Sequence, residues 1–166
     1  MQIRPGRPVP VRLHHAALEV GARIVLLGDQ PIPPGGEGFV QLVLERPAAM
    51  FSGDHFVVRD TSAQRTIGGG VLLDLHAPAR KRRTPERMAQ LRAYSHDDPE
   101  RVLQALLDGP PHYLDIDGFR RDFALTLAQA DSIMVQLGLL TIHPPPSARL
   151  VIAPATWPRL RQAIVE

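Results

Sequence analysis

Two stretches of this 166-residue chain carry side chains whose types and spacing suit chemistry, and in both the chemistry is anion binding. In Arg65-Thr66-Ile67-Gly68-Gly69-Gly70 a guanidinium and a hydroxyl precede three residues without a Cβ, so a phosphate or ribose can approach the main chain closely. In Arg80-Lys81-Arg82-Arg83, between Pro78 and Pro85, four cations can neutralise several phosphates with an affinity that falls steeply with salt. Each stretch has a structural alternative. The glycines could form a bulge or a sheet corner, in which case at least one takes φ > 0. The basic run could be an extended, solvated linker. If corner and contact divide along the run, Gly68 is expected at the corner and Gly69 at the contact.

Bond-making chemistry finds no support. The absence of cysteine excludes disulfides, thiolate metal sites and cysteine nucleophiles, and the serines fall in no G-x-S-x-G turn. None of the seven histidines forms a chelating pair on a helix, and His14 and His15 are adjacent on a predicted strand, facing opposite ways, so no metal is expected. Asp115-Ile116-Asp117-Gly118 begins like a calcium loop but lacks the later ligands and suits a helix start. No G-x-x-x-x-G-K-[ST] sequence is present, so neither nucleotide hydrolysis nor a catalytic residue is expected in this chain.

These stretches sit in a chain that is 44% apolar and 22% charged, a balance suited to soluble globular structure. The net charge of +2 is uneven: residues 1–75 sum to zero, 76–96 to +5 and 97–166 to −3. The basicity is a local belt. No apolar run approaches the length of a membrane span, and Met1–Pro10 lacks an apolar signal core, so a cytoplasmic protein with no membrane partner is expected.

From Pro8 to Leu75 short aliphatic and β-branched runs alternate with Gly and Pro, predicting strands over Val9–His14, Arg23–Leu27, Phe39–Glu45, His55–Arg59 and Ile67–Leu75. So many strands in about 70 residues suggest a small closed barrel. After Thr84 the period becomes helical. Pro99–Leu107 predicts a helix ending at Gly109, Asp117 a cap for a short helix through Phe119–Phe123, and Thr126 a cap for Leu127–Leu137 with Leu127, Ala130, Met134 and Leu137 inward. Two strands, Leu139–His143 and Ala148–Ala153, then flank Pro144–Ser147, before a terminal helix from Pro154 with Trp157, Leu160 and Ile164 on one side. The fold class read here is β followed by α/β: a small antiparallel β-barrel at 1–77, a basic linker and helix at 78–96, and a winged-helix module at 97–166.

Pro47-Ala48-Ala49-Met50, Gly53, Phe56 and Arg59, followed by Arg65–Val71, resemble the last barrel domain of elongation factors related to elongation factor Tu. The triple glycine, Val71–Asp74 after it, and His14-His15 and Glu19-Val20 upstream are most similar to the bacterial selenocysteine-specific elongation factor family. The likeness covers residues 8–77 well and extends loosely into the helical region. Where that family commonly has His-His-Gly-Thr-Ala-Glu-Val, this chain has His-His-Ala-Ala-Leu-Glu-Val at 14–20, so no hydroxyl stands at Ala17.

The resemblance implies a monomeric piece of a larger factor whose barrel meets selenocysteyl-tRNA and whose winged-helix array reaches an mRNA hairpin at the ribosome. It implies GTP and magnesium for the full-length factor and no cofactor for this chain. It adds weight to Arg65, Thr66, Gly68, Gly69, Gly70, Arg80, Lys81, Arg82 and Arg83 as RNA-binding residues. Rival readings are a stand-alone winged-helix DNA regulator and a protein-interaction module. The former sits poorly with Leu127–Leu137, which has no Arg or Lys and carries Asp131.

Overall fold

The computed structural model describes residues 3–144, 148–158 and 162. The chain divides into two compact units, Met1–Thr84 and Pro85–Glu166.

In the first unit β1 (Val9–His15), β2 (Leu18–Leu26), β3 (Val40–Leu44), β4 (His55–Arg59) and β5 (Thr66–Val71) form one antiparallel sheet in the order β3-β2-β1-β4-β5. Alternation sends Val11, Leu13, Val20, Ala22, Ile24, Phe56 and Val58 to one face as a buried core. Val40, Leu42 and Leu44 from one outer strand and Ile67 from the other pack on that same core, so the sheet curls around a single interior. The expected closed barrel needs correction. β3 and β5 are the ends of the hydrogen-bonded order, and the sheet is an open, curled one. Gly68 and Gly70, paired with core-facing Val58 and Phe56, bring no side chain to the inner face of β5, so Ile67 supplies that strand's packing on the core.

β2 begins at Leu18, well before the expected Arg23, because the pairing of His15 with Leu18 makes Ala16-Ala17 a two-residue hairpin loop. Gly21 breaks the apolar pattern of the sequence there, but the Glu45 side chain folds over it and the strand runs through. β5 ends at Val71, short of the expected Leu75.

The second unit comprises α1 (Pro85–Tyr94), α2 (Pro99–Asp108), β6 (Tyr113–Asp115), α3 (Ile116–Asp122), α4 (Leu127–Gln136), β7 (Leu140–Ile142) and β8 (Leu150–Ile152). Its antiparallel sheet has the order β6-β8-β7. Val102, Leu103, Leu107, Ile116, Phe119 and Val151 form the core, covered by Ile133 and Met134 of α4 and by Leu137 at its C-cap. Asp98 caps α2, and Thr126 with Gln129 makes a reciprocal capping box at α4.

Three details depart from expectation. Asp115, whose Oδ1 accepts the Asp117 N–H at 3.0 Å, caps α3 in place of Asp117, so the helix starts three residues before Phe119. Leu127 is 58% exposed and leaves the inner stripe, which Ile133 joins. β6 was too short to carry a periodic signal. Of the expected terminal helix, Trp157 is exposed, while Leu160 and Ile164 lie outside the described residues, as do Pro145, Pro146 and Ser147. No helix among the described residues is long and apolar enough to cross a membrane.

Candidate nucleic-acid interface

The turn between β4 and β5 is organised by one carboxylate. Asp60 Oδ1 accepts the Ser62 hydroxyl at 3.0 Å and the backbone N–H groups of Gln64 and Arg65 at 2.9 and 3.2 Å. Its own N–H donates to the Arg65 carbonyl at 2.9 Å, and its carbonyl accepts from Ala63, also at 2.9 Å. These donors, the Arg65 N–H above all, hold the Asp60 carboxyl below the ordinary carboxylate range, and the Arg59 charge adds to them. The turn is closed from within, and Arg65 and Thr66 emerge from it exposed.

The triple glycine is strand, not corner. Gly68, Gly69 and Gly70 pair with Val58, Val57 and Phe56, and none of them has φ > 0. The register slips between Val58 and Arg59, which makes Ile67 the extra residue of a bulge. The expected corner at Gly68 is not found, and the steric need for glycine falls on Gly69 and Gly70. A Cβ on Gly69 would lie 2.7 Å from the Phe56 carbonyl oxygen, and one on Gly70 would lie 2.9 Å from the Phe56 ring. At Gly68 nothing lies within 4 Å. Gly69 therefore serves the close approach of two strands, and Gly68 is the glycine whose lack of a side chain the fold does not need.

The basic run is a turn tied to its own sheet, not an extended linker. Gln41 Nε2 donates to the Pro78 carbonyl at 3.3 Å, Arg82 Nε to the Ala79 carbonyl at 3.0 Å, and Arg83 Nη2 to the Leu26 carbonyl at 2.7 Å. Lys81 has φ 53° at the bend. Arg82 and Arg83 thus have structural work, although Arg83 is exposed as Arg80 and Lys81 are.

Sheet register adds residues that sequence reasoning missed. Arg12 of β1 lies opposite Arg59 of β4, which lies opposite Thr66 of β5. His14 lies opposite Val57, which lies opposite Gly69. Arg12 and Arg59 are 47 positions apart in a chain with no other sign that they meet, so only the strand order could have joined them to Thr66.

In the second unit the charges are turned on one another. Arg149 bridges Asp117 at 3.1 Å and Asp131 at 3.4 Å, tying the start of β8 to α3 and α4. Helix α4 itself exposes Leu127 and Val135.

A family model described as the β-barrel domain of the selenocysteine-specific elongation factor matches residues 7–79. Residues 7–79, less than half of the chain, are thus similar to that domain. A selenocysteine-specific elongation factor of Escherichia coli (strain K12) is 35% identical over 77 residues, which are 46% of this chain and 11% of that relative. The chain thus spans a small part of the relative's length. The segment matched by the family model includes the β4–β5 hairpin, the Asp60 turn and the triple glycine.

Proposed function

We propose that this chain is the part of a selenocysteine-specific elongation factor that holds selenocysteyl-tRNA on its barrel sheet and connects it to a winged-helix module. The observation that carries this reading is the β4–β5 hairpin inside the matched segment, whose self-satisfied turn presents Arg65 and Thr66 outward beside a glycine strand. Exposed Arg80 and Lys81 add phosphate contacts of no sequence preference. In the second unit the order α2-β6-α3-α4-β7-β8 with sheet order β6-β8-β7 supports the winged-helix reading. Helix α4 has no cation to meet a phosphate-lined groove, so this module acts as a spacer toward the modules that reach the mRNA hairpin at the ribosome. GTP and magnesium belong to other parts of the full-length factor, which acts in the cytoplasm, and this chain works as a monomer by binding alone.

Filter binding of the full chain to a selenocysteine tRNA transcript and to duplex DNA of similar length tests the reading. Tighter, salt-sensitive binding to the tRNA is expected, with a slope that flattens by about 0.7–0.9 for each real contact removed when Arg80, Lys81, Arg82 and Arg83 are changed to Ala. Preference for the DNA would overturn it.

A further inference from the structure

On the convex face of the first unit, Arg12, Arg59 and Thr66 form one transverse row across β1, β4 and β5. The neighbouring pair Leu13 and Val58 faces the core, so alternation turns both arginines to the opposite face together. Side chains directly opposite on antiparallel strands have Cβ atoms about 4.5–5.5 Å apart, and like charges so placed repel. The register thus places the two arginines directly opposite one another on neighbouring strands.

Glu19, Glu45 and Asp60 lie near them, Glu45 folding over Gly21 opposite Arg12, but among the described residues no carboxylate closes on either guanidinium with a hydrogen bond. Glu19 approaches Arg12 Nε only to 3.8 Å, with the two side chains 51% and 43% exposed, a distance and exposure that make a weak pair. Asp60, next to Arg59 in sequence, interacts with its charge but commits its Oδ1 to Ser62, Gln64 and Arg65. Arg59 Nε is shut off from solvent without a hydrogen-bond partner, and so is Nε2 of His14, two residues beyond Arg12 on the same face. The adjacent row of His14, Val57 and Gly69 ends on a residue without a side chain, so the surface beside the arginines is low.

We infer that Arg12, Arg59 and His14 form a binding site for a phosphodiester group on the convex face of β1-β4-β5, with the Thr66 hydroxyl at its edge. Two forked guanidinium groups within reach of one another match the non-bridging oxygens of a single phosphate, and the anion relieves their mutual repulsion. The low row beside them takes the ribose. This inference rests on the reading of the barrel as RNA-binding and assigns contacts outside the hairpin and the basic turn.

Fluorescence anisotropy of the full chain with a labelled RNA stem-loop, across salt concentrations, tests it. Changing Arg12 and Arg59 together to Gln is expected to flatten the salt slope by about 1.4–1.8, two contacts' worth. Arg59→Lys keeps the slope while weakening binding, because a point charge replaces the fork. Glu19→Gln strengthens binding. The Arg12/Arg59 double variant is expected to melt no lower than wild type, since the change removes a repulsion, which separates a lost contact from a lost fold. Wild-type binding with an unchanged slope in the double variant would overturn the site and leave the RNA reading standing. No wild-type binding even at low salt would overturn the RNA reading, and the site with it.

Discussion

Arginine does different work around α3 and on the β1-β4-β5 face of the sheet. In the helical unit Arg149 spans Asp117 and Asp131, Arg121 lies 4.0 Å from Asp115, and Arg120 sits 4.0 Å from Asp117 while donating to the Leu125 carbonyl. In the sheet unit Arg12 lies opposite Arg59 and meets only Glu19 among the described carboxylates, at 3.8 Å, Arg65 leaves a turn whose hydrogen bonds are already closed, and Arg80 is exposed. Net charge does not distinguish these cases; pairing does. A guanidinium held by a carboxylate is spent on structure, whereas one facing another guanidinium is available to an anion.

The sharpest way to break the comparison is at the glycines, where structure and presentation meet. Gly69→Ala is expected to destabilise the sheet unit by about 1–3 kcal/mol, because the new methyl meets a backbone carbonyl that cannot rotate away. Gly68→Ala is expected to stay within about 0.5 kcal/mol of wild type, having open space. Thermal unfolding reads both. Equal melting of the two variants would show that the 2.7 Å approach does not constrain β5. With the fold intact, any loss of RNA binding in Gly68→Ala reports a contact.

Arg149→Ala sharpens the other side. It is expected to cost about 1 kcal/mol in chemical denaturation of the helical unit, since the pair is partly exposed, and to leave the salt slope of RNA binding unchanged. A flattened slope would mean that this arginine is presented after all.

Smaller in size is Ala16→Gly. Ala16 holds φ 48° in the β1–β2 loop, a conformation that costs a residue with a Cβ about 1–2 kcal/mol, partly offset by the entropy glycine loses on folding. A gain of about 0.5 kcal/mol is expected by thermal unfolding, and a loss would show that Ala16 makes packing contacts that outweigh its strain.

The most local effect belongs to Asp60. Its carboxyl is held below its ordinary range in the fold, so the turn's stabilisation is complete above the unfolded value and is lost as pH falls through the folded one. Amide exchange at Gln64 and Arg65, corrected for intrinsic rates, is expected to accelerate in Asp60→Asn at neutral pH and in wild type only in acid. Unchanged protection in the variant would assign the turn's order to its backbone bonds alone.

Much of this was legible before any coordinates. The strand at His55–Arg59, the Thr126 cap and the Gly109 helix end follow from local chemistry, which acts over a few residues and leaves its mark on adjacent letters. The glycine roles and the Arg12–Arg59 row were not legible, because each depends on register between strands distant in the chain. β6 was lost for a different reason: three residues are too few for alternation to stand out.

One measurement addresses the division between presented and spent arginines most directly: amide chemical-shift mapping of the full chain titrated with the RNA stem-loop. Shifts are expected at Arg12, His14, Arg59, Arg65, Thr66 and Gly68, with the α4 amides unmoved. Shifts concentrated on α4 and β7, with the sheet unit silent, would contradict it.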